Sequence, residues 1–257
     1  MGDLQEQIVK KREEVEALKV QKATLTDQLN KQFAFADKMG AVLGEYLMEA
    51  TKDPALVVVM ASDPKLPVFA EEVQNTLRRN NQENMKRRNV EDGRYIVSLV
   101  ETLANLAKVP QGRDQLKSED FSKVREELVK FLSVAAVDEA EKAFGVAVKL
   151  KVLETLTYVC QDAQARTELQ GQPELHAGIK MCLEGDDGDN IKTQSLQLLE
   201  AISSEIDRQE TLVTIATNVP KDYVKNLAET GEGEVKVAAE AVMNKFAEQG
   251  AKLGVSI

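Results

Sequence analysis

Few side chains in this sequence have the spacing that catalysis needs. The one histidine, His176, sits beside Gly178 in a helix-entry segment with no Cys, Ser and Asp arrangement near it, and reads as a surface or capping residue. Cys160 and Cys182 each fall inside an apolar helical pattern, which fits two reduced core thiols. The run Glu184-Gly185-Asp186-Asp187-Gly188-Asp189-Asn190 clusters oxygen ligands, but it lacks the alternating acids, sixth-position glycine and terminal glutamate of a calcium loop. It reads instead as a linker, with Asp189 or Asn190 placed to cap the next helix. No glycine-rich phosphate motif, metal-spaced Cys/His cluster or nucleophile elbow occurs, and paired carboxylates among 43 acids discriminate nothing. The expectation is a protein without catalytic residues, cofactor or metal.

The elements that must position any binding side chains are helical. Charged residues make up 30% of the 257 and aromatics 4%, with no Trp, a balance nearer to helical arrays than to sandwiches or barrels. The net charge of −10 argues against a nucleic-acid or anionic-membrane binder, because phosphate affinity comes from clustered Lys and Arg. No apolar signal region and no membrane-length apolar run appears, so the expected setting is the cytoplasm and no membrane insertion is expected.

From Leu4 to about Phe33 a heptad frame places Ile8, Val15, Lys22 and Leu29 at a, and Leu4, Lys11, Leu18, Leu25 and Gln32 at d. Six of these nine are apolar. Residues 1–33 therefore read as a coiled-coil helix that either pairs with a second chain, as a dimer or heteromer through 4–33, or folds back on the body. Residues 34–95 read as a helical region punctuated by Asp53-Pro54, Asp63-Pro64 and Pro67. Leu56–Met60 is strand-like in content but has no partner run, which favours helix. The stretch from Arg78 to Arg94, with Arg79, Lys86, Arg87 and Arg88, reads as a solvated connector before it reads as a basic contact site, because no aromatics interleave.

The second half repeats itself. ETLANLAKVPQGRDQL, from Glu101, aligns with ETLTYVCQDAQARTEL, from Glu154, at an offset of 53 residues, and a looser copy begins at Leu199-Glu200-Ala201-Ile202. A second apolar helix follows each of the first two copies, with Val124, Leu128 and Phe131 in one and Leu175, Ile179 and Leu183 in the other. Such pairs bury their apolar faces only by stacking. Armadillo and HEAT arrays repeat at about 40 to 47 residues; the longer offset implies an insertion near Val137 to Phe144.

Leu103-Ala104-Asn105-Leu106-Ala107, followed by Arg113 and Leu116, resembles the long third helix of the armadillo family. The second copy has Tyr158, and the third Ser204, where that asparagine stands. The resemblance covers about 90–249 and implies an all-α chain: an N-terminal coiled-coil helix, then a short armadillo-like α-α superhelix over 96–249, with a tail at 250–257 that frays. It also implies that the third helices line a concave face. Glu101, Glu154 and Glu200 would then form an acidic ladder beside Asn105, Tyr158 and Ser204, a groove for a basic, extended protein segment. Over 184–257, 14 Asp and Glu face 7 Lys and Arg, so a basic partner would approach from that end. The resulting expectation is an adaptor or scaffold. The same resemblance also admits a co-chaperone that promotes nucleotide release from a heat-shock ATPase, and the coil with its acidic surface admits a cytoskeletal or ciliary accessory protein.

Overall fold

Asp53 and Pro54 show how this chain sets its helix boundaries. Asp53 is extended, at φ −84° and ψ 114°, and its carboxylate accepts the Ala55 N–H, while Pro54 occupies the first turn. These start signals make Pro54–Ala61 a helix although it contains three consecutive valines. The same device recurs at Asp162, which accepts from the N–H groups of Gln164 and Ala165.

The computed structural model describes residues 2–82, 90–134 and 139–255. Among the described residues the chain is all-helical: α1 (Gly2–Ala50), α2 (Pro54–Ala61), α3 (Leu66–Gln82), α4 (Val90–Lys108), α5 (Pro110–Leu116), α6 (Ser122–Leu132), α7 (Glu139–Val159), α8 (Ala163–Gln170), α9 (Pro173–Glu184), α10 (Asp189–Ile202), α11 (Gln209–Asn218), α12 (Lys221–Thr230) and α13 (Gly233–Leu253), with one 3-10 turn at Glu119–Phe121. No described helix is long and apolar enough to cross a membrane.

The long helices α1, α4, α7, α10 and α13 pack each on the next, and α3, α6, α9 and α11 form a second row. Short helix α2 packs on α5. One apolar core runs through the stack from Val57 to Phe246. Side chains seal its joints: Arg113 donates to the Ala107 and Lys108 carbonyls at the end of α4, and Arg166 donates to the Cys160 carbonyl just beyond α7. Gln170 donates to the Ile202 and Ser204 carbonyls at the end of α10. The arginine that recurs in the sequence repeat is thus a helix cap, satisfying carbonyls that have no partner within the helix. Ion pairs tie neighbouring units, with Arg125 Nη2 shared between the two Glu168 carboxylate oxygens at 3.1 and 3.0 Å, Lys117 on Asp162 at 3.0 Å and the buried Lys149 on Asp187 at 2.9 Å.

Several boundaries differ from those read in the sequence. The first helix does not end at residue 33 but continues to Ala50, because no proline precedes Pro54 and Gly40 and Gly44 are tolerated within the helix. The helical region read over 34–95 is not set apart from the repeats, since α2 and α3 stack on α5 and α6 as α6 stacks on α9. Of the basic stretch, Arg79 pairs with Asp92 and Arg94 is bidentate on Glu45, while Lys86, Arg87 and Arg88 lie outside the described residues. Residues 137 and 138 of the expected insertion also lie outside them. The cap of α10 is Gly188, at φ 94°, rather than Asp189 or Asn190, because the glycine takes a backbone conformation those residues disfavour. The tail does not fray at Gly250: α13 runs to Leu253 and stops at Gly254, which is left-handed at φ 69°.

Candidate binding groove

Helix α7 presents Leu150, Lys151, Glu154, Thr157 and Tyr158 on one face, a spacing of three to four residues that aligns them along the axis. Its opposite face, with Val148, Val152, Leu153 and Leu156, is buried in the core. Helix α10 answers with Asn190, Thr193, Gln194 and Gln197, while Ile191, Leu196, Leu198, Leu199 and Ile202 face inward. Glu234, at the start of α13, also lines this face. Together they enclose an open groove of about 470 Å³.

The electrostatics of this face are balanced rather than acidic. Lys108 lies 2.9 Å from Glu154, Lys151 lies 3.2 Å from Glu154, and Lys151 also reaches Glu101 at 3.6 Å. Two carboxylates and two ammonium groups thus alternate between α4 and α7. Burial alone would raise the Glu154 pKa, but the hydrogen bond from Lys108 and the charge of Lys151 outweigh it and hold the carboxyl below its ordinary range. Glu154 is therefore ionised at neutral pH. Tyr158 supplies a half-buried ring, and the three amides of α10 each offer both donors and an acceptor. Such a surface can hold backbone amides of an extended chain, flanked by fixed charges.

Of the six residues read from the repeat, the groove brings together only Glu154 and Tyr158. Glu101 stands outside it, tied through Lys151. Asn105 is buried under α1, where its amide donates to the Met48 carbonyl and the Thr51 hydroxyl, each at 3.3 Å. It is a joint between helices, not an open hydrogen-bonding position. Glu200 lies beyond the groove lining, and Ser204 follows the end of α10, its hydroxyl donating back to the Glu200 carbonyl at 3.0 Å. The α10 residues that face Tyr158 are the amides, an i, i+4, i+7 stripe visible in NIKTQSLQ once the helix is known to start at Asp189.

His176 is fully buried rather than on the surface, because the face of α9 that holds Leu175 and Ile179 turns it inward. Neither ring nitrogen makes a well-formed hydrogen bond. Cys160 and Cys182 are free, buried thiols, pushed up by burial to about 12 and about 11. Among the described residues no group of three or more His, Cys, Asp or Glu is arranged to hold a metal ion. Compared with known proteins, the chain matches no family model and no curated sequence.

Proposed function

We propose that this chain is a non-enzymatic scaffold of the cytoplasm, an armadillo-like stack that holds an extended segment of a protein partner in the α7–α10 groove. The observation that carries the reading is the stripe of Asn190, Gln194 and Gln197 facing Tyr158 across an open cavity. Side-chain amides pair with the N–H and C=O of an extended backbone without regard to its sequence, and an aromatic ring adds packing area. The armadillo-like reading is supported by the succession of long, short and third helices in units that pack one on the next. The two free, buried thiols fit a reducing compartment.

Charge narrows the partner. Lys108 and Lys151 offset Glu101 and Glu154, so the attraction for a basic segment comes from exposed Glu234 and from the acidic excess over 184–257. The segment held is extended and carries Lys or Arg at one end.

The test is selection of a phage-displayed library of random 12-residue peptides on the full chain, followed by calorimetry of the selected peptides. Gln194→Ala/Gln197→Ala is expected to weaken them about tenfold, two hydrogen bonds contributing about 1 kcal/mol each less partial replacement by water. Tyr158→Ala is expected to do at least as much. Equal affinity for wild type and both variants would remove the groove as the recognition surface.

A further inference from the structure

Along its last turns α1 has two different faces. One, containing Gly40, Ala41, Gly44 and Thr51, packs on α4; a Cβ on Gly44 would stand 3.0 Å from the Tyr95 ring and 3.2 Å from Ser98 Cβ. The other continues the heptad frame past residue 33, with Ala36 and Leu43 at a and Met39 and Tyr46 at d. Over the whole helix ten of thirteen a and d positions are apolar, and Lys11, Lys22 and Gln32 interrupt them. Val15, Leu18, Leu25, Leu29, Met39, Leu43 and Tyr46 are all exposed, from 42% at Met39 to 71% at Tyr46. The strip ends where Leu47, Leu56, Val59, Met60 and Phe69 line an apolar hollow of about 300 Å³, beside the first unit of the stack.

We infer that this strip is the seam of a parallel, in-register coiled coil with a second copy of this chain. Self-complementarity singles out that occupant. In a parallel pair each g position faces e of the partner's next heptad. Glu14 then meets Lys19 of the other copy, and Gln21 and Gln28 meet Thr26 and Phe33, so none of these flanking pairs carries like charges. Lys22 is the one polar a residue, a device that fixes register and two-chain assembly at some cost in stability. Lys11 and Lys22 both fall before Leu25, which places the strongest pairing over 25–46.

The size is also right. Val15 to Tyr46 spans about 48 Å of helix. Phe33, Phe35 and Tyr46 are 49%, 67% and 71% exposed, and with the exposed leucines the strip offers several hundred Å², of the order of the ~800 Å² that each partner gives to a stable interface. Both bodies lie on the outer faces of the paired helices, where α4 already packs, so they do not compete for the seam. The inference is independent of the groove.

The test is sedimentation equilibrium of the full chain over 1 to ~100 μM, for wild type and for Leu29→Glu/Leu43→Glu. Both leucines are exposed, so circular dichroism is expected to show an unchanged fold in the variant. Wild type is expected at twice the chain mass of 28.4 kDa, and the variant at the chain mass, with dimerisation at least ~100-fold weaker. Leu43→Cys in a glutathione redox buffer is expected to cross-link as a dimer, because in-register pairing puts the two residue-43 positions in one layer. A wild type that stays at the single-chain mass, as it would if the seam served a different protein, overturns the inference. So does a dimer that survives the double substitution, or one in which Leu43→Cys forms no cross-link.

Discussion

At the scale of single residues, His176 is the clearest departure from the sequence reading and gives a pH signature. Burial without a well-formed hydrogen bond pulls its pKa below that of an ordinary imidazole, the Gln170 backbone countering only in part. In the unfolded chain it protonates near pH 6.5, while the native state resists the proton. The unfolded state therefore binds more protons as pH falls through that point, and stability is full above it and declines below it. Urea midpoints measured at pH 7.5 and 5.5 are expected to fall further for wild type than for His176→Leu; an equal fall would mean that His176 is not the residue responsible. Its inward orientation was not legible because a lone histidine between Leu175 and Ala177 suits either side of a helix, and only the rotation of α9 decides. Glu154 and Tyr158 were legible because three exact repeat letters, Glu, Thr and Leu, fix their helix face. Asn105 was misread because internal repetition says nothing about what stands in front of the first copy, and α1 stands there.

At the scale of elements, the contact between α1 and α4 depends on two glycines that behave differently. A Cβ on Gly40 would meet only ordinary van der Waals contact, 3.7 Å from the Tyr95 ring, whereas Gly44 has Tyr95 and Ser98 within 3.2 Å. Gly40→Ala is expected to be neutral or to stabilise by up to about 1 kcal/mol through helix propensity. Gly44→Val is expected to destabilise by about 2–3 kcal/mol, since overpacking forces two helices apart. Thermal unfolding of the two variants checks the contrast, and similar midpoints would mean that α1 is not seated on Tyr95 this closely. Local signals made much of this level readable: Asp53-Pro54 starts α2, and Gly231 and Gly233 stand between α12 and the body of α13. Gly250 misled because a glycine is also tolerated inside a helix, and α13 runs through it to stop four residues on at Gly254, where the backbone turns left-handed.

At the scale of the whole molecule, two rows of helices share one core, but the first half of α1 takes no part in it. Every described side chain from 9 to 36 is exposed. In the Leu29→Glu/Leu43→Glu background, where no dimer adds to stability, removal of residues 1–33 is therefore expected to leave the unfolding temperature within about 2 °C, less than the shift from ~1 kcal/mol in a domain of this size. Scanning calorimetry checks it, and a drop of several degrees would show that the segment packs on the body. The stacking was visible in the sequence only where letters repeat, at Glu101 and Glu154; the first unit, built by the end of α1 with α2 and α3, performs the same packing with different residues and so left no repeat to find. Because α1 passes from free rod to packed helix without a break, and its glycines at 40 and 44 are held against Tyr95, the molecule has a shaft in place of a tether: turning the rod turns the groove with it, at a fixed bearing.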